Sequence, residues 1–401
     1  MDKRKLIYLI FLYVIIFNGW QLSFYPQMNS ELSLFILLGY MCLGGFIWID
    51  YRKKNYVHTN SIPLYFIMLG IFLSAFSALL VYSQSIIQSV ITYRTQLYWL
   101  LLPLLLYIKP TSKEIMTSLV ICTIMMWGIY ILKSYAPTYF SYNQTTLIMK
   151  QGTDDIGYVE GLQLTTIPLY YYLDKLRFTI NRRILFIVII CYSFIFVMQN
   201  RSFLFVSTLF LIYTFVVKIK IKHKLLFFTI FMFLGFLVYL QTMELWQALF
   251  EETKEQINND DYNRNKSFMY FFTMANPHWL TYITGNGLLS SHTTSLVQDL
   301  MDMGIYNSDM GFIGYWNQYG IIPILVFLWL CIRTLKNRKA PYYVQLIACQ
   351  ILLCSMTTSY FGVLGHALFF ILFYYLCIYY MPLHKKKILV KNDYNNYHKL
   401  P

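Results

Sequence analysis

The chain is a succession of apolar runs, each about as long as a bilayer is thick, separated by short polar hinges. A helix needs about 20 apolar residues to cross the hydrocarbon core of a membrane. Runs of that kind lie near residues 6–24, 32–50, 62–82, 88–108, 115–133, 157–174, 183–199, 202–217, 225–241, 309–332, 342–360 and 362–381. Run 157–174 is the weakest, because it holds Glu160 and Pro168, and only Asn200 and Arg201 separate the seventh run from the eighth. Backbone groups in lipid must be satisfied within the protein, and these runs are too long for barrel strands, so the expected elements are helices.

Composition points the same way. Hydrophobic residues make up 58% of the 401 positions and charged residues 12%; a soluble domain carries about 25% charged residues. So little charge cannot cover a water-facing surface, which excludes a soluble enzyme. Eighteen glycines and 11 prolines exclude a collagen-like or low-complexity chain. The expected fold is all-α: one polytopic membrane domain over residues 1–401, about 12 transmembrane helices with a long helical extracytoplasmic loop. No small-residue cleavage site follows the first run, Leu6 to Phe24, so it is expected to be a retained anchor. The seven cysteines lie inside apolar stretches without a CxxC pair and are expected to be buried hydrophobes, with no disulfide and no metal.

The net charge of +14 is not spread evenly. With the N-terminus placed in the cytoplasm, 25 of the 32 Lys and Arg fall on the cytoplasmic side, while 13 of the 18 Asp and Glu fall outside. This is the asymmetry of the positive-inside rule. It accounts for the basic balance without nucleic acid, and it puts both termini, including the basic tail 382–401, in the cytoplasm.

Two external segments are long, near 134–156 and 242–308. The second has helical patterning. Met243, Trp246, Leu249, Phe250, Thr253 and Ile257 form an apolar stripe suited to an interfacial helix. A second helix is expected from Asp261 to Ala275, before Asn276–Pro277. Gly285-Asn286-Gly287 reads as a turn, Ser295 to Met303 as a short helix, and Ser308 or Asp309 as a cap for the next span.

The residues able to carry chemistry lie in or near the external segments and turns, with Arg94 in a span. Arg201 lies in the tight turn MQNRSFLF, where it is either a snorkelling interface arginine or an anion clamp able to grip phosphate oxygens in a fork. Arg264 and Lys266 lie in DDYNRNKSF, either as a solvated helix end or above the same external cavity. Arg94 falls within a span, where a charge is costly and usually faces the protein interior; the plainer reading is a buried structural arginine bonding to carbonyls or to Tyr and Gln side chains. GNGLLSSHTTSLVQDLMDMGIYNSDMGFIGYWNQYG supplies His292, Asp299, Asp302 and Asp309 ahead of Gly311, Gly314 and Gly320. Cations and acids together suit the neutralisation of an anionic leaving group and removal of a proton from a nucleophile. No Walker loop, HExxH, GxSxG or dinucleotide fingerprint occurs, and Asp154–Asp155 is only a weak metal signal, so neither ATP nor a metal cofactor is expected.

The roughly dozen spans, the long late external loop, the turn Asn200–Ser202 and the stretch Gly285 to Gly320 together resemble the Wzy-type polysaccharide polymerases, which join O-antigen or capsule repeat units and are relatives of the O-antigen ligases. The resemblance implies a GT-C-like membrane glycosyltransferase at the outer face of a bacterial cytoplasmic membrane. Its substrates would be undecaprenyl-diphosphate-linked oligosaccharides, the growing chain passing from its lipid diphosphate to the non-reducing end of a new repeat. A chain-length regulator and a flippase are the partners it implies, with no cofactor. By position, Arg201 and Arg264 match the family's loop arginines and would hold the diphosphate, with Arg94, Lys266 and Asp299 contributing to substrate binding. Asp309 would orient or deprotonate the acceptor hydroxyl, with His292 as the alternative base. The ligases carry His–Asn where this chain has Ser308–Asp309, which argues against a ligase. The rival reading is a flippase or transporter of the same lipid-linked substrate.

Overall fold

The computed structural model describes residues 2–16, 26–53, 62–135, 162–179, 181–198, 201–218, 254, 263–273, 278–289, 299–300, 302–303, 305, 310–356 and 364–381. Helix accounts for 88% of the structure, and no strand occurs among the described residues. The all-helical class expected from the apolar runs is therefore observed. Among the described residues two helices, Ile62–Tyr82 and Ser112–Leu132, are long and apolar enough to cross a membrane by length and composition. Other runs form shorter apolar helices, such as Leu34–Asp50, Gln96–Ile108 and Ser202–Val217. The run 225–241, the interfacial stripe 243–257 and the tail 382–401 lie outside the described residues.

The chain forms two compact units, each assembled from separated stretches. The first comprises Met1–Leu37, Lys113–Met274 and Asp299–Met310. Its helices are α1 (Lys3–Ile16), the opening of α2 (Pro26–Lys53), nearly all of α6 (Ser112–Tyr135), α7 (Leu162–Leu176), α8 (Arg182–Val197), α9 (Arg201–Tyr213) and α10 (Asn263–Thr273). A π-helical turn, Thr214–Lys218, extends α9. Helix α7 is the hub of this unit. Almost every one of its side chains is buried, Gln163, Thr165, Thr166 and Asp174 included. A helix faced by protein on all sides can carry polar groups, provided each finds a partner. Partners are present. Thr165 meets Thr123 of α6 at 3.3 Å, and Tyr170 meets Ser207 of α9 at 3.2 Å. Trp127 of α6 donates from Nε1 to the Ile190 carbonyl of α8 at 3.1 Å.

The second unit comprises Leu38–Ser112, Ala275–Gln298 and Gly311–Pro401. It contains the rest of α2, then α3 (Ile62–Tyr82), α4 (Ile86–Tyr93), a 3-10 segment (Arg94–Leu100), α5 (Leu101–Ile108) and α11 (Trp279–Thr284). It ends with α12 (Gly311–Tyr319), α13 (Ile321–Lys336), α14 (Tyr342–Cys354) and α15 (Leu364–Tyr380). Here the hub is α15, uncharged and buried from Ala367 to Cys377. Phe370 stacks on Phe327 of α13, ring centroids 4.8 Å apart, and meets Trp99 edge-on at 5.8 Å. Tyr375 donates to the Pro110 carbonyl at 2.8 Å and Tyr380 to Ser112 Oγ at 2.8 Å, tying the end of α15 to the residues after α5.

Two runs that read as single spans are interrupted. The run 88–108 becomes α4, the 3-10 segment and α5. Pro103 has no N–H for the carbonyl one turn before it, and the backbone tightens upstream: the Leu101 N–H is shared between the Trp99 and Tyr98 carbonyls and reaches no further back. The run 309–332 breaks at Gly320, whose φ of 75° is left-handed. Gly320 also passes so close to the Ile283 carbonyl that a Cβ there would collide with it. Glycine is the one residue that meets both conditions without strain.

Candidate functional site

In the second unit the breaks in the two runs come together around a third irregular segment, residues 285–289, just after α11. The elbow between α3 and α4 prepares one wall. Ser83 takes a left-handed φ of 55°, Gln84 turns fully inward, and Ser85 caps α4 by accepting from the Gln88 N–H at 3.3 Å. Tyr93, the last residue of α4, lies opposite. Its ring meets that of Tyr319, the last residue of α12, edge to face with centroids 6.4 Å apart.

The segment then supplies what each break leaves open. Helix α12 stops at Gly320, so the Asn317 and Gln318 carbonyls lose their helical donors. The Asn286 N–H bonds to the Asn317 carbonyl at 2.6 Å and the Gly287 N–H to the Gln318 carbonyl at 2.9 Å. One residue on, the Leu288 N–H donates to the Tyr93 hydroxyl at 2.8 Å, and the Leu288 carbonyl accepts from Gln84 Nε2 at 3.1 Å. A Cβ at Gly287 would run into the Ser74 carbonyl, Ala78 and the Tyr93 hydroxyl. Gly285-Asn286-Gly287 is thus no turn closing on itself: it docks on a broken helix. Ser74, the Tyr93 partner, lies eight positions before the end of α3, so at 1.5 Å rise per residue the segment lies roughly 12 Å along the helix from that end. Backbone buried in apolar surroundings is tolerable only when its polar groups are bonded, and here the N–H groups of 286, 287 and 288 and the carbonyl of 288 have partners.

The residues singled out by sequence are distributed as follows. Arg94 opens the 3-10 segment; it is exposed, and its guanidinium donates to the Ile91 carbonyl at 3.0 Å. The carbonyl contact of the plainer reading is made, but the expected burial is not found: the side chain is exposed, since its guanidinium turns back one helical turn along the helix surface. Arg201 is the first residue of α9 and Arg264 the second of α10, both in the first unit; the side chains of both lie outside the described residues. Lys266, fourth in α10, is half-buried. Asp299 is exposed on a helical turn, as is Asp302. His292, Ser308 and Asp309 lie outside the described residues. Neither α9 nor α10 has an acid in its first turn. The positive end of a helix macrodipole disfavours cations in that turn and favours anions, so the two arginines occupy electropositive positions.

Sequence reasoning missed Ser74, Gln84 and Tyr93, because uncharged polar residues in apolar runs look like ordinary helix-packing groups. It also missed a charged cluster in the first unit. Buried Glu114 accepts from the Asp2 backbone N–H at 2.7 Å, and buried Asp174 pairs with Arg177 at 2.8 Å. Lys175 lies over the Tyr171 ring, 4.4 Å from its centroid. Burial holds the Lys175 ammonium below the usual lysine range, Lys113 pushes it the same way, and Asp174 opposes both. Among the described residues no group of three His, Cys, Asp or Glu could hold a metal ion.

No known family model matches the chain, and no curated protein matches it.

Proposed function

We propose that the protein is a polytopic membrane glycosyltransferase of the bacterial cytoplasmic membrane that polymerises undecaprenyl-diphosphate-linked oligosaccharide repeats at the outer face. The observation that carries this reading is the position of the two candidate arginines. Arg201 and Arg264 each stand in the first turn of a helix without an acid in that turn. Asp260 and Asp261 precede α10 and can moderate the charge there, but Arg201 has only Asn200 and Ser202 beside it. Fixed cations at a helix N-terminus suit a diphosphate, with guanidinium and helix dipole acting on the same anion. Large apolar side chains on exposed surfaces, including Phe46, Phe72, Ile87 and Phe205, further support about 12 helices in contact with lipid.

In the reaction, the bond between the anomeric carbon of the growing chain and its diphosphate oxygen breaks. A hydroxyl at the non-reducing end of the incoming repeat forms the new glycosidic bond. Its proton passes to a base, Asp309 or His292, and undecaprenyl diphosphate leaves. Negative charge grows on the leaving diphosphate as the bond stretches, and Arg201 and Arg264 stabilise that charge more in the transition state than in the ground state.

The interrupted helices of the second unit favour one other reading. Broken spans around buried irregular backbone are also how secondary transporters build substrate sites, and a carrier of the same lipid-linked repeats would use them. Purified protein in vesicles separates the two. A ladder of lengthened lipid-linked chains, made without ATP, supports the polymerase; passage of unchanged repeats across the bilayer without lengthening replaces it with the carrier.

A further inference from the structure

We infer that Tyr93 and Gln84 are positioning residues: together they clamp both peptide groups of residue 288 and so fix where the late external loop enters the second unit. The inference rests on the polymerase reading for its functional half and on geometry alone for its structural half.

The geometry is directional. Ser74 Oγ donates to the Ile71 carbonyl at 2.8 Å and lies 2.9 Å from the Tyr93 hydroxyl. A serine hydroxyl has one proton. With that proton on Ile71, Tyr93 is the donor to Ser74, and its own oxygen is left to accept from the Leu288 N–H at 2.8 Å. The chain therefore runs from Leu288 N–H through the Tyr93 and Ser74 hydroxyls to the Ile71 carbonyl, each proton used once. Gln84 closes the other side. Its Nε2 donates to Ser89 Oγ at 3.0 Å and to the Leu288 carbonyl at 3.1 Å, which uses both amide protons. Phenol and amide stand nine positions apart in sequence and hold the N–H and C=O of one residue, as two neighbouring strands would. Upstream, the N–H groups of residues 286 and 287 are held by α12. Three consecutive N–H groups are thus anchored, four to six positions before His292 in the sequence.

A clamp on backbone rather than on a side chain is a device for placing a segment. Packing alone would leave the segment free to slide; hydrogen bonds to N–H and C=O groups fix its register. Once fixed there, the loop starts from a defined point on the rigid part of the unit, as a site that must handle a proton at a set distance requires.

The test is amide hydrogen exchange on full-length protein in lipid nanodiscs, read on peptides covering 278–289, alongside polymerisation of lipid-linked repeats. Tyr93→Phe keeps the ring and removes both hydroxyl bonds. Exchange over 285–289 should rise about tenfold, the effect of losing one buried bond, with the rest of α3 and α13 unchanged. Turnover per folded molecule should fall by about the same factor while KM for the lipid-linked donor moves little, since positioning acts on kcat. Tyr343→Phe removes a phenol bond elsewhere in the unit, to Tyr380 at 3.2 Å, and should leave both readouts as in the unaltered protein. Unchanged exchange in Tyr93→Phe overturns the clamp. Raised exchange with normal turnover overturns its role in the reaction. Should Tyr93→Phe not fold, Gln84→Leu, which removes the bond to the Leu288 carbonyl, decides instead: raised exchange over 285–289 supports the clamp and unchanged exchange overturns it. If the unaltered protein lengthens no chain, the polymerase reading falls with the functional half, and exchange still judges the structural half.

Discussion

Tyr93 and Tyr319 meet edge to face, with ring centroids 6.4 Å apart, and each is the last residue of a helix before its apolar run loses regular geometry. The contact joins the two interruptions of the second unit. Residues 285–289 bond to the backbone freed at one break and to the Tyr93 hydroxyl at the other, so these three irregular pieces of chain form one cooperative piece of structure.

Two glycine substitutions, one at this junction and one in the first unit as a reference, should move stability in opposite directions. Gly320→Ala places a Cβ against the Ile283 carbonyl at a φ of 75°; strain of that kind costs about 1–3 kcal/mol before any clash. The thermal unfolding midpoint should drop clearly. Gly128, inside α6, has nothing within 4 Å of where a Cβ would sit, and Gly128→Ala should raise stability by about 0.5–1 kcal/mol. Equal midpoints for the two variants would remove Gly320 from the account of the break.

Arg201→Lys keeps the charge and loses the planar fork. If Arg201 grips a diphosphate with two prongs, this variant should lose at least tenfold in polymerisation rate, about 1.4 kcal/mol or more of transition-state stabilisation. Arg264→Lys should follow in the same direction. The readout is the ladder of lipid-linked products at fixed substrate; a near-normal ladder from Arg201→Lys takes that residue out of the mechanism.

The charge asymmetry makes a topological prediction. Lys254→Cys should react with a membrane-impermeant maleimide added to intact cells, and Arg338→Cys only after the membrane is opened, each measured against the parent protein. The reverse pattern would invert the orientation and place Arg201 and Arg264 on the cytoplasmic side.

Lys175 gives a pH prediction with a definite sign. Burial and Lys113 hold its folded-state pKa below the usual lysine value. Its amine should therefore become reactive toward acylating reagents at lower pH than an ordinary lysine, and as pH falls through that depressed pKa, protonation costs the folded state stability. Lys113→Met removes the like charge, so the midpoint of reactivity should move upward. An unmoved midpoint would show that Lys113 does not act on Lys175.

Some of this was legible in the sequence, for physical reasons. Helix α3 spans the same residues as its apolar run, 62–82, because nothing in that run interrupts helical hydrogen bonding. The expected helix from Asp261 to Ala275 is found as Asn263–Thr273. Continuity was less legible elsewhere. Hydropathy records which residues avoid water and not whether their backbone stays helical, so the breaks at Arg94 and Gly320 are invisible in runs 88–108 and 309–332. Nor does it separate lipid from protein as the apolar surroundings: α7 reads as weak and α15 as strong, yet both are buried hubs. In the candidate site, formal charge made Arg94, Arg201 and Arg264 conspicuous. Tyr93 and Gln84 were not, since their importance lies in reaching the backbone of a residue some 200 positions away.

The clamp on residue 288 recognises a peptide unit and ignores the group attached to its α-carbon. Position 288 is therefore free to drift among apolar residues, while its neighbour 287 is held to glycine and positions 84 and 93 to an amide and a phenol. Mutational tolerance around the loop should alternate sharply between adjacent codons, and a saturation library scored for folded protein would record that alternation as a fingerprint of the docked backbone.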